Sequence, residues 1–363
     1  MKAWFCEEQL LHDPQQFMRL GRICKPTDLP DRAHALRGTL QAHGIEVASP
    51  PDYGRAPLEG VHSADYLDYL ASAHARWQAL DVPGVAPGIE VLPNLSPYQG
   101  AGADGLRGPC PSPALVAQGG WYLGDLSCPI GPGTWRSVLR SAHCAVAAAD
   151  AVLEGARLAY ALCRPSGHHA HRDRAGGFCY VNNTAVAAHR LQQRYGRVAV
   201  LDIDAHHGDG TQNIFYRSDQ VLTVSVHADP AGYYPFYTGY AHERGNGAGV
   251  GCNLNLPLPH GSDDGMFLDA VAQGLQAVRA FAPSALVLAL GFDTFRDDPI
   301  SVLQVGLDAY RRAGKGIAGL GLPVVVVQEG GYRVDALGPA LGAFLDGIAP
   351  GRAGMDNRVA DHA

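Results

Sequence analysis

The sequence predicts an α/β fold: a single domain built on a central, mostly parallel sheet with helices on both faces. Three observations lead to this class. Apolar runs of strand length alternate with helical stretches from about Thr134 onward. The runs are continuous in Val, Leu and Ala, which is typical of parallel strands buried on both faces. Polar side chains follow the carboxyl end of each run, and ligands of α/β sheets bind at that edge.

Composition bounds the organisation of the chain. Of its 363 residues, 47% are hydrophobic and 17% are charged, so it can bury a sizeable core. We expect one domain over residues 1–350, with a loosely ordered tail over residues 351–363. The formal charge of −7, without a basic stripe, argues against a nucleic-acid partner.

The sequence also bears on membrane association and on cellular location. Apolar runs of membrane-spanning length and a signal-peptide pattern at the start are both missing, so we expect no membrane partner. Eight cysteines are scattered without a CxxC pair. These features predict free thiols and a cytoplasmic location.

The elements before residue 134 are less regular than those after it. Residues 1–80 mix helical patterns with short strands, and residues 61–80 read as an amphipathic helix. Residues 82–134 are rich in Gly, Pro and Ser and show little periodicity. A loop this long in a compact chain is usually functional or mediates an interaction; the alternative is a disordered insertion.

After residue 134 helices and strands alternate. We predict one helix over residues 136–155 and another over residues 182–196, which ends at the capping Gly196. Five buried strands are predicted from the runs LAYALC, RVAVLDID, QVLTVSVH, SALVLALG and LPVVVVQEG.

The stretch VLDIDAHHGDG, residues 200–210, carries the strongest chemical signal. Asp202, Asp204 and His206 occupy alternate positions, so they share one face of an extended segment. Asp204 and His206 offer oxygen and nitrogen ligands suited to one divalent cation. A solvated strand end is the alternative, but the buried run before it favours the metal, because buried charges need partners.

A catalytic zinc needs a third protein ligand. Asp293 stands just past the run SALVLALG and is the preferred candidate. Asp297 and Asp298 have the same side chain but lie further into the loop.

Two other strand ends supply groups for acid–base and electrostatic work. His168 and His169 are read as a proton-handling pair whose rings are oriented by Asp202 and Asp209; a structural histidine pair is the alternative. Tyr332 follows two glycines and can aim a phenol at a polarised carbonyl, although Gly-Gly-Tyr alone is usually only a turn. Cys179 is read as a buried small hydrophobe rather than a nucleophile.

The motifs RPSGHHAHRDRAGGFCYVNN, DIDAHHGDGTQNIFY, GFDTFRDDP and QEGGY, in this order and spacing, resemble the zinc-dependent histone deacetylase superfamily. The stretch YYPFYTGYAHERGNGAG and the long loop are similar to its bacterial acetylpolyamine amidohydrolase-like branch. This resemblance implies the arginase-like α/β fold. It implies a metal site made by Asp204, His206 and Asp293, and catalytic residues His168, His169, Tyr332, Asp202 and Asp209.

The resemblance implies further sites. Phe178, Tyr234 and Gly177 would form the substrate tunnel. Structural potassium would be bound by Asp202, Asp204, His206, Ser225, Phe215 and Val221. Arg32 matches the arginine of an internal acetate-release channel. A homodimer formed through the loop at 82–134 is also implied.

The expected reaction is zinc-dependent hydrolysis of N-acetylated polyamines or related small alkylamines, of the acetylputrescine and acetylcadaverine type; Fe²⁺ is the alternative cation. Protein or peptide acetyl-lysine is the alternative substrate. A two-metal ureohydrolase is disfavoured because Gly208 and Phe295 replace the extra aspartates. A non-enzymatic metal-binding protein is disfavoured because ligands, base and phenol all occur together. Only Asp104 and Asp125 are acidic between Val91 and Trp135, which argues against a preference for long, highly charged polyamines. Acetylputrescine, acetylcadaverine and less polar N-acyl amines stay open.

Overall fold

The computed structural model describes residues 1–19, 21–81, 83, 86–94 and 108–349. Within these residues, strands and helices alternate as the sequence predicts. The strands are β1 Lys2–Trp4, β2 Phe17–Arg19, β3 Arg22–Cys24, β4 Glu46–Ala48, β5 Leu158–Ala161, β6 Val198–Asp202, β7 Val221–Ala228, β8 Asn253–Leu258, β9 Ala285–Leu290 and β10 Val324–Gln328.

The helices cover both faces of the main sheet. They are α1 Asp31–Ala42, α2 Ala56–Glu59, α3 Ala64–Gln78, α4 Leu115–Tyr122, α5 Thr134–Leu153, α6 Asn183–Tyr195, α7 Asp209–Phe215, α8 Asp264–Phe281, α9 Leu307–Ala318 and α10 Val334–Ile348. Side chains of α3, α5 and α6 pack in one apolar cluster, and side chains of α1, α8, α9 and α10 pack in the other.

The described strands form one large sheet in the order β4-β1-β5-β10-β9-β6-β7-β8, and every pairing in it is parallel. β2 and β3 form a separate antiparallel hairpin. β6 shows why the sheet is buried on both faces: Val198 and Val200 belong to one cluster, while Ala199 and Leu201 belong to the other. Burying each Val or Leu side chain contributes about 2 kcal/mol.

The α/β class and the parallel sheet are confirmed. The five predicted strand runs appear as β5, β6, β7, β9 and β10. The helices predicted over residues 136–155 and 182–196 appear as α5 and α6, with limits that differ by about two residues or fewer. β1 and the two edge strands, β4 and β8, lie outside these predicted runs. β1 and β4 are only three residues long, and β8 reads NLNLPL, without a continuous apolar run.

The segment at 82–134 contains more structure than its composition suggests. α4 lies inside it, and Val91 forms an antiparallel bridge with Ile130. Residues 82, 84–85 and 95–107 of this segment, with Asp104, and the tail at 351–363 lie outside the described residues. No helix in the described part of the chain is long and apolar enough to cross a membrane.

The topology brings the functional strand ends together. β5, β10, β9, β6 and β7 are consecutive neighbours and run in the same direction. The segments that follow them therefore meet at one edge of the sheet.

Candidate active site

Asp204, His206 and Asp293 form a compact cluster at this edge. Their ligand atoms all lie within 4.8 Å of one another, and both aspartates have an exposed fraction of 0%. The Nδ1 atom of His206 lies 3.1 Å from Asp204 Oδ1 and 3.1 Å from Asp293 Oδ2. Backbone amides fix the carboxylates: Ala205 N donates to Asp293, and His206 N and Gly330 N donate to Asp204.

The electrostatics of this cluster call for a cation. Burial and the charge of Asp204 raise the pKa of Asp293 to about 7. Burial alone would lower the pKa of His206, but its hydrogen bonds to the two carboxylates raise it to about 9. Two buried carboxylates that converge on one imidazole are a donor set that suits Zn²⁺ or Fe²⁺.

Gly330 leaves the space that such a cluster needs. A Cβ atom at this position would lie 2.2 Å from Asp293 Oδ2 and 2.6 Å from Asp204 Oδ2. Any other residue would push into the carboxylates. The three residues therefore fit a metal ion in both chemistry and room.

The two adjacent histidines lie beside this cluster, with ring centroids 4.1 Å apart. His168 Nδ1 donates to Asp202 Oδ2 at 2.8 Å, and His169 Nδ1 donates to Asp209 Oδ1 at 2.7 Å. The structure thus brings together both predicted histidine–aspartate pairs. His171, which the motifs did not single out, joins this network: its Nε2 donates to the second oxygen of Asp209 at 2.7 Å.

The pKa values of the two histidines shift in opposite directions. Burial alone would lower the pKa of His168, but Asp202, Asp204 and Glu329 raise it well above its usual value. Burial, followed by the charge of His168, lowers the pKa of His169 to about 4. One ring therefore holds a proton while its neighbour is free to accept one.

A cavity of about 430 Å³ opens beside the histidines and the metal-ligand cluster. His169, His206 and Tyr332 line it, and so do the predicted tunnel residues Phe178, Tyr234 and Gly177. The rings of Phe178 and Tyr332 meet edge to face with centroids 5.8 Å apart. Burial raises the pKa of Tyr332 well above its usual value, so the phenol keeps its proton.

Two side chains hold the turn that carries Tyr332. Asp298 accepts the backbone N–H groups of Tyr332 at 2.6 Å and Arg333 at 3.0 Å. Asp298 was an alternative candidate for the third metal ligand, but its carboxylate binds this turn instead. The Arg32 guanidinium lies 4.6 Å from the centre of the Tyr332 ring and donates to the carbonyls of Gly331 and Glu329.

Several cavity residues were missed because they belong to no chemical motif. Tyr233 stacks on His206 with centroids 4.5 Å apart and ring planes 15° apart. Phe17, Met18 and Arg19 reach the cavity from the β2–β3 hairpin. Tyr233 could have been found from its neighbour Tyr234, whereas the hairpin carries no local signal.

Glu329 is a second group that the sequence analysis missed. Its Oε2 accepts the backbone N–H groups of Gly167 and His168, and its Oε1 accepts the hydroxyl of Thr184. Burial raises its pKa to about 7. Its position directly before Gly330 at the end of β10 was the available signal.

The residues predicted to bind potassium lie at neighbouring strands. The parallel register of β6 and β7 places Ser225 opposite Asp202. Phe215 ends α7 and Val221 begins β7, on either side of the connection between them. Their role in cation binding stays a prediction.

Gly208 also has a steric role. A Cβ atom there would lie 2.4 Å from Asp202 Oδ2 and 3.3 Å from His168 Nδ1. The position therefore has no space for the additional carboxylate of a two-metal site.

Comparison with known proteins gives a consistent result. The family model described as histone deacetylase domain matches residues 26–348. The chain is 45% identical over 348 residues to the acetylpolyamine amidohydrolase of Burkholderia pseudomallei (strain 1710b), a match that covers 96% of this chain and 98% of the relative. It is 42% identical over 340 residues to acetylpolyamine amidohydrolase 1 of Pseudomonas aeruginosa, covering 93% and 96% of the two chains. The crystal structure of acetylpolyamine aminohydrolase from Burkholderia pseudomallei superposes with a TM-score of 0.90 and covers 96% of this chain and 98% of that chain, at 45% identity.

Proposed function

Since the chain belongs to the histone deacetylase family, we propose that it is a metal-dependent amidohydrolase that removes the acetyl group from acetylpolyamines and related small N-acetyl alkylamines. The observation that carries this proposal is one cavity lined by His169, His206 and Tyr332, next to the cluster Asp204, His206 and Asp293. A base, an electrophilic phenol and a metal-ligand set thus occur around one space.

Asp204, His206 and Asp293 would hold the metal ion. Proteins of this family are generally metal-dependent. When bound, a divalent cation supplies a Lewis acid for water and for a carbonyl oxygen. We propose Zn²⁺ as that ion, with Fe²⁺ as the alternative, because two carboxylates and one imidazole suit both.

His169 is the proposed general base. Its Nδ1–H is committed to Asp209, so Nε2 keeps the lone pair that takes a proton from water. His168, charged and held by Asp202, lies beside it, and the pair then protonates the departing amine. Asp202 and Asp209 keep the two rings oriented through both steps.

Tyr332 is the proposed stabiliser of the developing oxyanion. Its phenol faces the same cavity as His169 and retains its proton because burial raises its pKa. A preorganised O–H donor of this kind lowers the barrier without reorganisation during the reaction.

The walls of the cavity support a slender substrate. Phe178 and Tyr234 would flank an alkyl chain that ends in the acetyl group. Gly177 lies between Tyr234 and the proposed base His169. The hairpin residues Phe17 to Arg19 add a further wall to the cavity. We therefore favour a small acetylated amine over an acetyl-lysine peptide, in agreement with the names of the relatives.

Three further expectations stay predictions. We propose that K⁺ binds near Asp202 and Ser225, which the sheet register places opposite each other. We propose a homodimer formed through the segment at 82–134. We propose a cytoplasmic location, which the eight free cysteines of the structure support.

The experiment that tests the function compares kcat/KM for acetylputrescine, acetylspermidine and an acetyl-lysine peptide on the zinc-loaded protein. We expect the small amine substrates to exceed the peptide by at least about tenfold, because each 1.4 kcal/mol of lost transition-state binding costs that factor. A peptide that is clearly the best substrate would contradict the polyamine assignment.

A further inference from the structure

We infer that Arg19 sets the charge specificity of this cavity and disfavours acetylated amines in proportion to the ammonium charge they carry. The inference rests on the proposed function, since it concerns the same cavity. It assigns a second property to the site: a preference within the class of N-acetyl alkylamines.

The geometry of the hairpin directs Arg19 into the cavity. Phe17 and Arg19 stand two residues apart on β2, so their side chains share one face of the strand. The Phe17 ring packs edge to face on the tunnel residue Phe178 at a centroid distance of 5.7 Å. Both Phe17 and Arg19 line the cavity. Arg19 is therefore an exposed side chain that contributes a positive charge to the wall of the cavity.

Among the residues that the structure describes, Arg19 forms no ion pair, so no described carboxylate binds its guanidinium directly. Its influence on the cavity wall is visible at Tyr233, whose pKa is raised mainly by burial but is lowered in part by the charge of Arg19. Arg19 thus acts on the electrostatics of the cavity itself.

Asp125 is the acidic side chain among the described lining residues, and its oxygens are already engaged. Oδ1 accepts the backbone N–H and the hydroxyl of Ser127 at 2.8 and 2.5 Å. Oδ2 accepts Gly177 N–H at 3.0 Å and the Tyr234 hydroxyl at 2.8 Å. These four donors tie the carboxylate to the wall, so it is not free to turn toward a distal ammonium.

The consequence for substrates follows from charge. A cation at the entrance to a low-dielectric cleft repels cationic ligands, and the repulsion grows with the number of their charges. A neutral N-acetyl alkylamine escapes it, acetylcadaverine carries one ammonium, and acetylspermidine carries two. Because Arg19 is exposed, salt should screen the effect.

The test measures kcat/KM for N-pentylacetamide, acetylcadaverine and acetylspermidine on the zinc-loaded enzyme and on Arg19→Gln. We expect no change for the neutral amide, a rise of about threefold for acetylcadaverine and about tenfold for acetylspermidine at low salt. High salt should bring the variant and the wild-type enzyme together. Arg19→Lys keeps the charge and should retain the wild-type order of substrates.

Arg279 provides the control. It is exposed in the last turn of α8, just before β9 begins, so it lies at the opposite edge of the sheet from the cavity and is not among the cavity-lining residues. Arg279→Gln removes the same charge far from the cavity and should leave the three ratios unchanged. Equal effects of Arg19→Gln on all three substrates, or equal effects of the two glutamine variants, would overturn the inference. Wild-type enzyme that hydrolyses none of the three substrates would instead overturn the proposed function, and this inference with it.

Discussion

At the scale of single residues, Tyr332 is held in place by two side chains that do not line the cavity. Asp298 accepts its backbone N–H, and the Arg32 guanidinium lies against its ring. Tyr332→Phe removes the O–H donor and keeps these contacts. We expect kcat to fall by about 10²-fold or more, as loss of one oxyanion donor does elsewhere, with KM and bound zinc nearly unchanged.

Steady-state kinetics and metal analysis on the same preparation check this expectation. Tyr237→Phe is the control, because that phenol is 89% exposed. A Tyr332→Phe variant that keeps kcat within a few-fold of the wild-type value would remove Tyr332 from the mechanism.

Spacing in the sequence was enough to pair Asp204 with His206 as metal ligands. It was not enough to decide between Asp293 and Asp298 as the third ligand. Asp204 and His206 share a face because they are two residues apart, and the strand before them is buried. Nothing in the order of residues tells Asp293 from Asp298, apart from distance from the strand. The structure separates them: Asp293 meets His206, whereas Asp298 binds the Tyr332 turn of another segment.

At the scale of elements, Asn182 connects helix α6 with the loop of the catalytic histidines. Its Oδ1 caps the helix by accepting Ala185 N–H at 2.8 Å, and its Nδ2 donates to Ala170 O at 3.1 Å. Asn182→Asp keeps the cap but replaces the donor with an acceptor. We expect the free energy of unfolding to fall by about 1–3 kcal/mol, because a buried carbonyl loses its donor, and kcat to fall as the histidine loop shifts.

Urea denaturation and kinetics measure both effects. The matched control is Asp263→Asn, the reverse exchange at the exposed N-cap of α8, where Asp263 accepts Gly265 N–H and Met266 N–H. That exchange should change stability by only a few tenths of a kcal/mol, since the two residues cap helices about equally well. An Asn182→Asp variant that unfolds at the wild-type urea midpoint would show that the donated hydrogen bond is dispensable.

The elements that could be predicted are those whose burial is complete. β6, β7, β9 and β10 are buried at every residue, so their sequences are dominated by Val, Leu and Ala. β8 lies at the edge of the sheet and includes Asn253 and Asn255, which bond to Gln212. The residue pattern of β8 follows from these hydrogen bonds to a distant residue rather than from regular burial. Such hydrogen bonds cannot be inferred from the sequence alone.

At the scale of the whole molecule, the entrance to the cavity is the part that could not be predicted. It is assembled from the hairpin at Phe17 to Arg19, the segment around Asp125 and the loop at Tyr234, which are far apart in the chain. Each of these segments looks like an ordinary surface turn by itself. The catalytic groups, by contrast, follow neighbouring parallel strands, so a general rule of α/β sheets placed them together.

The resistance of the whole fold to acid should depend on buried neutral histidines. His62 is an example: its Nδ1–H donates to His171 O at 2.9 Å, and its Nε2 accepts Asn182 N–H at 2.9 Å, so the ring has no place for a second proton. Burial lowers the pKa of His62 and of His227 to about 4, and that of His12 to about 3.

The direction of the pH effect follows from which state binds protons. An unfolded histidine binds a proton near its ordinary pKa of about 6.5, whereas folded His62 binds one only near pH 4, so the unfolded state takes up protons first as pH falls. Stability is therefore complete above about pH 6.5 and is lost as pH falls toward 4. Between pH 7 and pH 5, the titration of His62 alone should lower the free energy of unfolding by about 2 kcal/mol.

The variant His62→Gln tests this, because its side chain does not titrate. Between pH 7 and pH 5, its free energy of unfolding in urea should fall by about 2 kcal/mol less than that of the wild type, whatever its value at pH 7. His34→Gln, at an exposed position of α1, should leave the pH dependence unchanged. If His62→Gln and the wild type lose equal stability between these pH values, His62 is not the buried acid sensor that its hydrogen bonds indicate.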